Sequence, residues 1–394
     1  MPSDKHIVVV GASLAGLRAA EATRLAGFDG RLTLVGAETH FPPVDRPPLS
    51  KAVLADRTER PPVTLRVDES LDAELLLGRR AGGLDLASRL VRLEDGEELH
   101  YDGLVIATGA TPRMLPGAEG RTNVHVLRTV EDSQRLRRVI GPGVRVAVIG
   151  AGVLGCEIAA TSRGLGAEVA LIDLFEQPML RVLGPELGRV AARKHADQGV
   201  RLFLGRRVLG LRGAPAADGV VLDGDEVVDA DVVVVSVGVI PETAWLADSG
   251  LTLVDGVVCD EACFALGADR TIVAAGDVAR WAHPVLGRDL RVEHWTNAVS
   301  QGQAAGRNLV AALAGGTEFE PYQALPYYWT DQYDWKIQVI GDLAEDTKIE
   351  EGELGGERFV VSFSSGGRLT GVLCVNWPNR IGRWRPKILA AASE

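Results

Sequence analysis

Two stretches of this chain place small residues where a dinucleotide can meet the backbone. Gly150-Ala151-Gly152-Val153-Leu154-Gly155 has complete G-x-G-x-x-G spacing, directly after the apolar run Val146 to Ile149. In that spacing the first glycine permits a tight turn, the second lets a pyrophosphate reach the backbone, and the third packs helix on strand. The unpaired N–H groups and positive dipole end of the helix then face the phosphates. Asp173 follows at a strand end, where a carboxylate accepts hydrogen bonds from a ribose 2′-hydroxyl. The earlier stretch Gly11-Ala12-Ser13-Leu14-Ala15-Gly16 departs from the rule at Ser13, and its acid, Glu38, is more distant. It reads either as a plain strand-to-helix turn or as a second nucleotide turn whose serine donates to a phosphate. Two nucleotide sites in one chain imply an electron donor and an electron carrier, nicotinamide plus flavin.

These turns sit in an internal repeat. Ile7 to Gly11 recurs as Val146 to Gly150, and Asp102 to Gly109 is echoed by Asp231 to Gly238, with the aspartate seven residues before the glycine each time. Each copy opens on an apolar run suited to a strand buried on both faces, then an Ala/Leu-rich helix, then another strand (Leu32 to Val35; Val169 to Ile172). That is the unit of a doubly wound sheet, so the expected class is α/β with two Rossmann-like dinucleotide-binding domains. From about residue 321 the texture changes. Phe359 to Phe363, a turn at Ser365 to Arg368, and Leu369 to Val375 predict an antiparallel hairpin in a smaller α+β domain.

Composition narrows the partners. Forty-two basic against 53 acidic residues give a net charge of −11, which argues against a nucleic-acid or anionic-membrane surface. No apolar run is long enough for a transmembrane helix. The run from Ile7 is interrupted by Gly11, Ser13 and Gly16 and broken by Arg18 and Glu21, so it predicts a strand, turn and helix rather than a signal peptide, and a cytoplasmic protein. Cys259 and Cys263 are spaced C-x₃-C, while Cys156 and Cys374 are isolated; all four read as small buried residues.

The string Asp45-Arg46-Pro47-Pro48-Leu49-Ser50-Lys51 resembles the flavin-side motif of FAD-dependent ferredoxin reductases that serve bacterial haem-thiolate monooxygenases and Rieske oxygenases. Further matches follow in order: Ala107-Thr108-Gly109, Leu127-Arg128-Thr129, Gly155-Cys156-Glu157, Ala275-Gly276-Asp277, Glu293-His294-Trp295, and Tyr328 to Asp334. The resemblance runs nearly end to end. It implies an FAD domain in two pieces (1–109 and 239–320) around an NAD domain (110–238), then a C-terminal interface domain (321–394). Relatives that reduce disulfides or peroxides carry cysteine beside the flavin; the corresponding stretch here, Phe41 to Lys51, has none.

The same resemblance implies roles for single residues. Lys51 is expected near flavin N5 and Glu157 near the nicotinamide, as an ion pair; the plainer readings are a solvated loop lysine and a first-turn helix carboxylate. Asp277 is expected on the ribityl hydroxyls, or else as a turn cap. Trp295 precedes a helix expected from about Thr296 to Leu313, whose start would face flavin N1 and O2 and favour negative charge there. Trp295 and Trp329 either flank the ring or are core residues. Ala15, Ala81, Arg128 and Glu38 match FAD contacts, and Arg46 is either a phosphate partner or a surface arginine. His294 reads as structural, because hydride transfer needs no proton relay. Gly238 closes the second nucleotide fold as Gly109 closes the first.

Together these imply FAD and NADH as cofactors and a 2Fe–2S ferredoxin as acceptor, with an oxygenase behind it, in a monomer or weak dimer. A rubredoxin reductase, an NADH oxidase and a redox-sensing NADH/FAD module are the alternatives. Between Cys374 and Ala390 the chain carries Arg380, Arg383, Arg385 and Lys387 without an acid, whereas Asp342 to Glu357 carries seven acids against Lys348. That segregation reads either as a local docking patch for an acidic ferredoxin or as a solvated tail.

Overall fold

The computed structural model describes residues 4–56, 63–344 and 346–392. They group into two compact units, one of residues 1–45, 64–111 and 240–327, the other of 46–63, 112–239 and 328–394.

The first unit is built on five parallel strands in the order Ile272–Ala274, Gly103–Ile106, His6–Val10, Arg31–Gly36, Glu74–Leu77. His6–Val10 is buried along its whole length, as expected for a central strand covered on both faces. Helix Leu14–Leu25 follows it, and helix Trp295–Leu313 packs on that helix. The contact is close because both helices present small residues. A Cβ at Gly302 would lie 2.5 Å from the carbonyl oxygen of Ala15, and one at Gly306 would lie 2.5 Å from that of Ala19. An antiparallel trio, Ala81–Asp85, Leu90–Leu93 and Glu98–His100, is inserted between strands Glu74–Leu77 and Gly103–Ile106.

The second unit repeats this plan. Its parallel sheet runs Arg201–Leu204, Glu168–Asp173, Arg145–Ile149, Val232–Val235, Val124–His125, with its own antiparallel insert, Val208–Arg212, Gly219–Leu222 and Val227–Asp229. The repeated aspartates occupy equivalent positions. Asp102 accepts from the backbone N–H of His6 at 2.7 Å, and Asp231 from that of Arg145 at 2.9 Å. Each therefore fixes the register at the start of its central strand. The same unit carries an antiparallel sheet in the order Tyr327–Gln332, Trp335–Gly341, Arg368–Val375, Phe359–Ser365, Asp346–Gly352. Its last two strands to be joined in sequence, Phe359–Ser365 and Arg368–Val375, form the expected antiparallel hairpin.

Gly306→Ala decides how tight the helix pairing is. Helix propensity alone would favour alanine by about 1 kcal/mol, but overpacking against the Ala19 carbonyl costs roughly 1–3 kcal/mol. We expect a net fall in melting temperature, read by thermal unfolding followed by circular dichroism.

Candidate functional site

In the first unit the expected residues converge on the carboxyl ends of the parallel strands, where doubly wound sheets bind ligands. Gly11 has φ +116°, and a Cβ there would lie 2.1 Å from the Ala107 carbonyl oxygen; one at Gly16 would lie 1.7 Å from that of Gly11. Ala15 meets Gly276, whose own N–H donates to Gln301 Oε1 at 2.9 Å. Ser13 is the N-cap of helix Leu14–Leu25 and makes no side-chain cap bond, and the first turn holds no acid. Helix Trp295–Leu313, capped at His294, is bare in the same sense. Its start is held by Trp295 Nε1, which donates to Asp45 at 2.8 Å. Asp277 lies in the short turn Gly276–Val278 beside it.

Several other expected contacts of this unit have protein work of their own. The Thr108 hydroxyl donates to the Glu242 carbonyl at 2.7 Å, and Gly109 takes φ +72°. Glu293 pairs with Arg291 at 2.7 Å. Glu38 follows strand Arg31–Gly36, with its carboxylate 3.4 Å from His40 Nε2, and Ala81 opens strand Ala81–Asp85. Burial holds the His294 imidazole down at about 4, so it is neutral near pH 7, as a structural histidine would be.

In the second unit, Gly150 (φ +103°) and Gly155 are demanded by the protein's own backbone. Their Cβ atoms would lie 2.1 Å from the Ser236 carbonyl oxygen and 1.8 Å from that of Gly150. Gly152 is different: it is exposed, and a Cβ there would meet nothing within 4 Å. The middle glycine thus faces open space at the start of helix Val153–Gly164, which has no side-chain cap and no first-turn acid. Val153 and the exposed Leu154 flank it. By contrast, helix Val130–Val139 carries a full capping box, Thr129 with Asp132, and acids in its first turn. A dinucleotide fits this start, which no side chain caps and whose first turn holds no acid. Asp173 accepts from the N–H groups of Ala151 and Phe175. A carboxylate offers about four lone-pair sites, so it is oriented by these bonds without being exhausted. Arg128 sits just before the capping box and its N–H donates to Asp132; Gly238 takes φ +99°, and a Cβ there would meet nothing within 4 Å.

Lys51 and Glu157 form an ion pair of 2.7 Å, with side chains 19% and 6% exposed. The first-turn reading of Glu157 does not hold. It is the fifth residue of its helix, and its carboxylate is claimed by Ser50 Oγ at 2.5 Å and Thr330 Oγ1 at 2.6 Å as well as by Lys51. The loop that brings Lys51 there is tied down at three points. Ser133 donates to the Leu49 carbonyl, Thr161 to that of Ser50, both at 2.7 Å, and Arg137 to that of Asp56 at 2.9 Å. Arg46 precedes this loop's short helix Pro47–Ser50, and Trp329 lies on strand Tyr327–Gln332. Ser50 and Thr330 were not singled out as site residues from the sequence, although both lie inside the quoted motifs.

All four cysteines are free and buried. Burial pushes the thiols of Cys156, Cys259 and Cys263 well up, and that of Cys374 up to about 12, so none is a ready thiolate. Of the four C-terminal cations, Arg380 is bound to Glu351 at 2.9 Å and lies over the Trp377 ring. Exposed positive charge therefore rests on Arg383, Arg385 and Lys387, three groups rather than four.

Two parallel sheets, each with a bare glycine turn at its central strand, define a protein that holds two dinucleotides. Comparison with known proteins agrees. The family described as pyridine nucleotide-disulphide oxidoreductase matches residues 5–302, and the one described as Reductase C-terminal matches residues 327–393. The ferredoxin–NAD(+) reductase component of the anthranilate 1,2-dioxygenase system of Burkholderia cepacia is 36% identical over 391 residues, 98% of this chain and 94% of that protein. Putidaredoxin reductase of Pseudomonas putida is 33% identical over 390 residues, 96% of this chain and 90% of that protein. Among solved structures, the covalent putidaredoxin reductase–putidaredoxin complex matches with a TM-score of 0.90 and 30% identity, over 99% of this chain and 94% of that chain. This chain belongs to the pyridine nucleotide-disulphide oxidoreductase family, whose members use FAD and NAD(H). No helix among the described residues is long and apolar enough to cross a membrane.

Two stability measurements follow from this geometry. Lys51→Met leaves a buried carboxylate with only its hydroxyl donors, and we expect a loss of roughly 1–3 kcal/mol, largely recovered in Lys51→Met/Glu157→Gln, by chemical denaturation. His195, 1% exposed, has its pKa lowered by burial from 6.5 to about 4. The folded state prefers its neutral form, so this contribution is complete above pH 6.5 and is lost as pH falls toward 4. The limiting slope is about 1.4 kcal/mol per pH unit. Unfolding midpoints at pH 7 and pH 5 should diverge less in His195→Gln than in the unaltered protein.

Proposed function

We propose that the protein is a flavoprotein ferredoxin–NAD(+) reductase: NADH is its electron source and a 2Fe–2S ferredoxin of an oxygenase system its acceptor. The observation that carries this reading within a family named for disulfides is the state of the cysteines: each thiol is buried and held protonated, so the chain has no thiolate relay to offer. FAD, when bound, takes up a hydride as two electrons and gives them up singly, which is what a one-electron acceptor requires.

The chain's own residues do the rest. The helix start after Ser13, with Leu14 to Gly16, receives the FAD pyrophosphate, and Glu38 and Asp277 take hydroxyls of the same cofactor. The start of helix Trp295–Leu313 stabilises negative charge on the reduced ring. Gly150 to Gly155 receive the NADH pyrophosphate, and Asp173 takes its ribose. Lys51 and Glu157 hold charge at the reacting end of that site. In domain terms, residues 1–109 and 239–320 serve FAD, 110–238 serve NAD, and 321–394 serve the partner. Arg383, Arg385 and Lys387 form the local surface that an acidic ferredoxin meets.

Purified protein is expected to be yellow, with one FAD per chain released on denaturation. It should oxidise NADH with ferricyanide directly, and pass electrons to cytochrome c only when a ferredoxin is added. NADPH should be poorer in kcat/KM by roughly 5- to 150-fold, since Asp173 opposes a 2′-phosphate. Arg383→Glu/Arg385→Glu should slow the ferredoxin-dependent rate at low ionic strength and leave ferricyanide turnover within about twofold. A colourless protein that takes up no FAD, or NADH oxidation without transfer to any ferredoxin, would overturn the reading.

A further inference from the structure

Glu157 is the end of a longer line of buried polar side chains, all within the second unit. Thr330 Oγ1 lies 2.6 Å from Glu157 Oε1 and 3.2 Å from Gln332 Nε2. Gln332 Oε1 lies 3.2 Å from His195 Nε2, and His195 Nδ1 lies 2.8 Å from the Tyr333 hydroxyl. Glu157, Thr330, Gln332 and His195 are respectively 5%, 1%, 4% and 1% exposed. Four such groups in a core are costly unless each is bonded with the correct polarity.

The polarity is forced from one end. An ionised carboxylate only accepts, and Lys51 and Ser50 already donate to Glu157. Thr330 therefore spends its single hydroxyl hydrogen on Glu157 and must accept from Gln332. That turns the Gln332 amide nitrogen toward Thr330, an orientation in which it also meets Met179 Sδ at 3.3 Å. The amide oxygen is left facing His195, so the imidazole proton sits on Nε2. Nδ1 then carries a lone pair, and Tyr333 donates to it. Burial keeps His195 neutral and raises the Tyr333 hydroxyl well above its ordinary value, so both hold the protonation states the line needs.

The opposite polarity would have a consequence. With the proton on Nδ1, Nε2 would accept, the amide would turn over, and Thr330 would donate to Gln332 instead of Glu157. Glu157 would keep Ser50 and Lys51 but lose its third donor. The far end of the line is fastened in position. Tyr333 and Asp334 make the turn between strands Tyr327–Gln332 and Trp335–Gly341, Tyr333 with φ +56° as such two-residue turns require. Lys194, next to His195, pairs with Asp334 and lies over the Trp335 ring.

We propose that Tyr333, His195, Gln332 and Thr330 form a one-way hydrogen-bond chain that positions Glu157, and through it Lys51, for the reaction with NADH. The proposal rests on the reductase reading for its function, but its geometry is measurable apart from it. His195, Gln332 and Thr330 are positioning residues; none of them needs to touch a cofactor.

The test has two arms. In ¹⁵N-histidine-labelled flavoprotein, the His195 signals, assigned by their loss in His195→Phe, should report a neutral ring with the proton on Nε2 at pH 7. A proton on Nδ1, or a charged ring, overturns the proposal whatever the enzyme's activity. The second arm is rapid-mixing reduction of the bound flavin by saturating NADH. Thr330→Val should slow it by about 5- to 10-fold with KM for NADH within about twofold, and Thr330→Ser should restore it. His195→Phe should cost about 3- to 5-fold alone but less than about 1.5-fold when added to Glu157→Gln, because its effect travels through that carboxylate. Multiplying losses in the double variant, or Thr330→Ser as slow as Thr330→Val, would mean that these residues only pack. Absence of any NADH oxidation by the unaltered protein would defeat the reductase reading, and the tautomer measurement would still decide the chain.

Discussion

A glycine pressed against the carbonyl of a neighbouring strand end is the constraint from which both nucleotide folds are built. Gly11 sits on Ala107 and Gly150 on Ser236, each at a distance that no Cβ tolerates. Because the chain must turn that sharply, the following helix starts directly above the central strand. The third glycine of each turn then lies on the carbonyl of the first, which closes helix onto strand. The middle position is free of this demand, which is why it accepts serine in one copy and glycine in the other. Ser13 takes ordinary extended backbone as an N-cap, so the departure from the glycine pattern costs the turn nothing.

Glu157 poses the opposite problem, a charge with little water around it. A buried carboxylate is stable only when donors replace its hydration, and here a lysine and two hydroxyls do so. Those donors come from two separate parts of the second unit, the loop after Arg46 and the strand carrying Thr330, while Thr161 on the helix of Glu157 itself holds Ser50 in place. Meeting one anion thus orders all three. The pair is weak evidence for stability, since apolar residues of similar volume would serve as well or better. Its value lies in holding a fixed positive and a fixed negative group at a known separation.

The repeat, the two turns and the central strands were legible because backbone sterics write them into local sequence. Helix Trp295–Leu313 begins within one residue of its expected start, and the repeated aspartates act as register pins. Lys51 with Glu157 could be expected only through resemblance, as 105 residues separate them and neither position is marked by any local pattern. The line from Thr330 to His195 was not legible. On a strand, Tyr328, Thr330 and Gln332 share one face, and polar residues at such spacing ordinarily mark the solvent side. Here that face is turned inward, with Tyr328 donating to the Val182 carbonyl, Thr330 to Glu157 and Gln332 to Met179. Only the assembled unit reveals that a polar stripe is a buried one. Arg380 taught the same lesson in reverse, since it lies in the short helix Pro378–Ile381 and its partner Glu351 on the distant strand Asp346–Gly352.

Charge is the remaining constraint, and distance decides how it acts. With a net charge of −11 the whole molecule repels an acidic partner at long range. At physiological salt the Debye length is about 8 Å, so the sum over the surface matters far less than the charges within one such length of the contact. Arg383, Arg385 and Lys387 are exposed and close in sequence around the start of helix Arg385–Ala392, and no acidic side chain lies between Cys374 and Ala390. Glu351 does reach this segment, but it is taken up by Arg380, whose guanidinium is also held over Trp377. That pairing removes a cation and an anion together and leaves Arg383, Arg385 and Lys387 as the exposed cations of the segment. A molecule that is acidic overall can in this way present one small basic face, and salt should weaken that face's attraction while also relieving the repulsion from the rest.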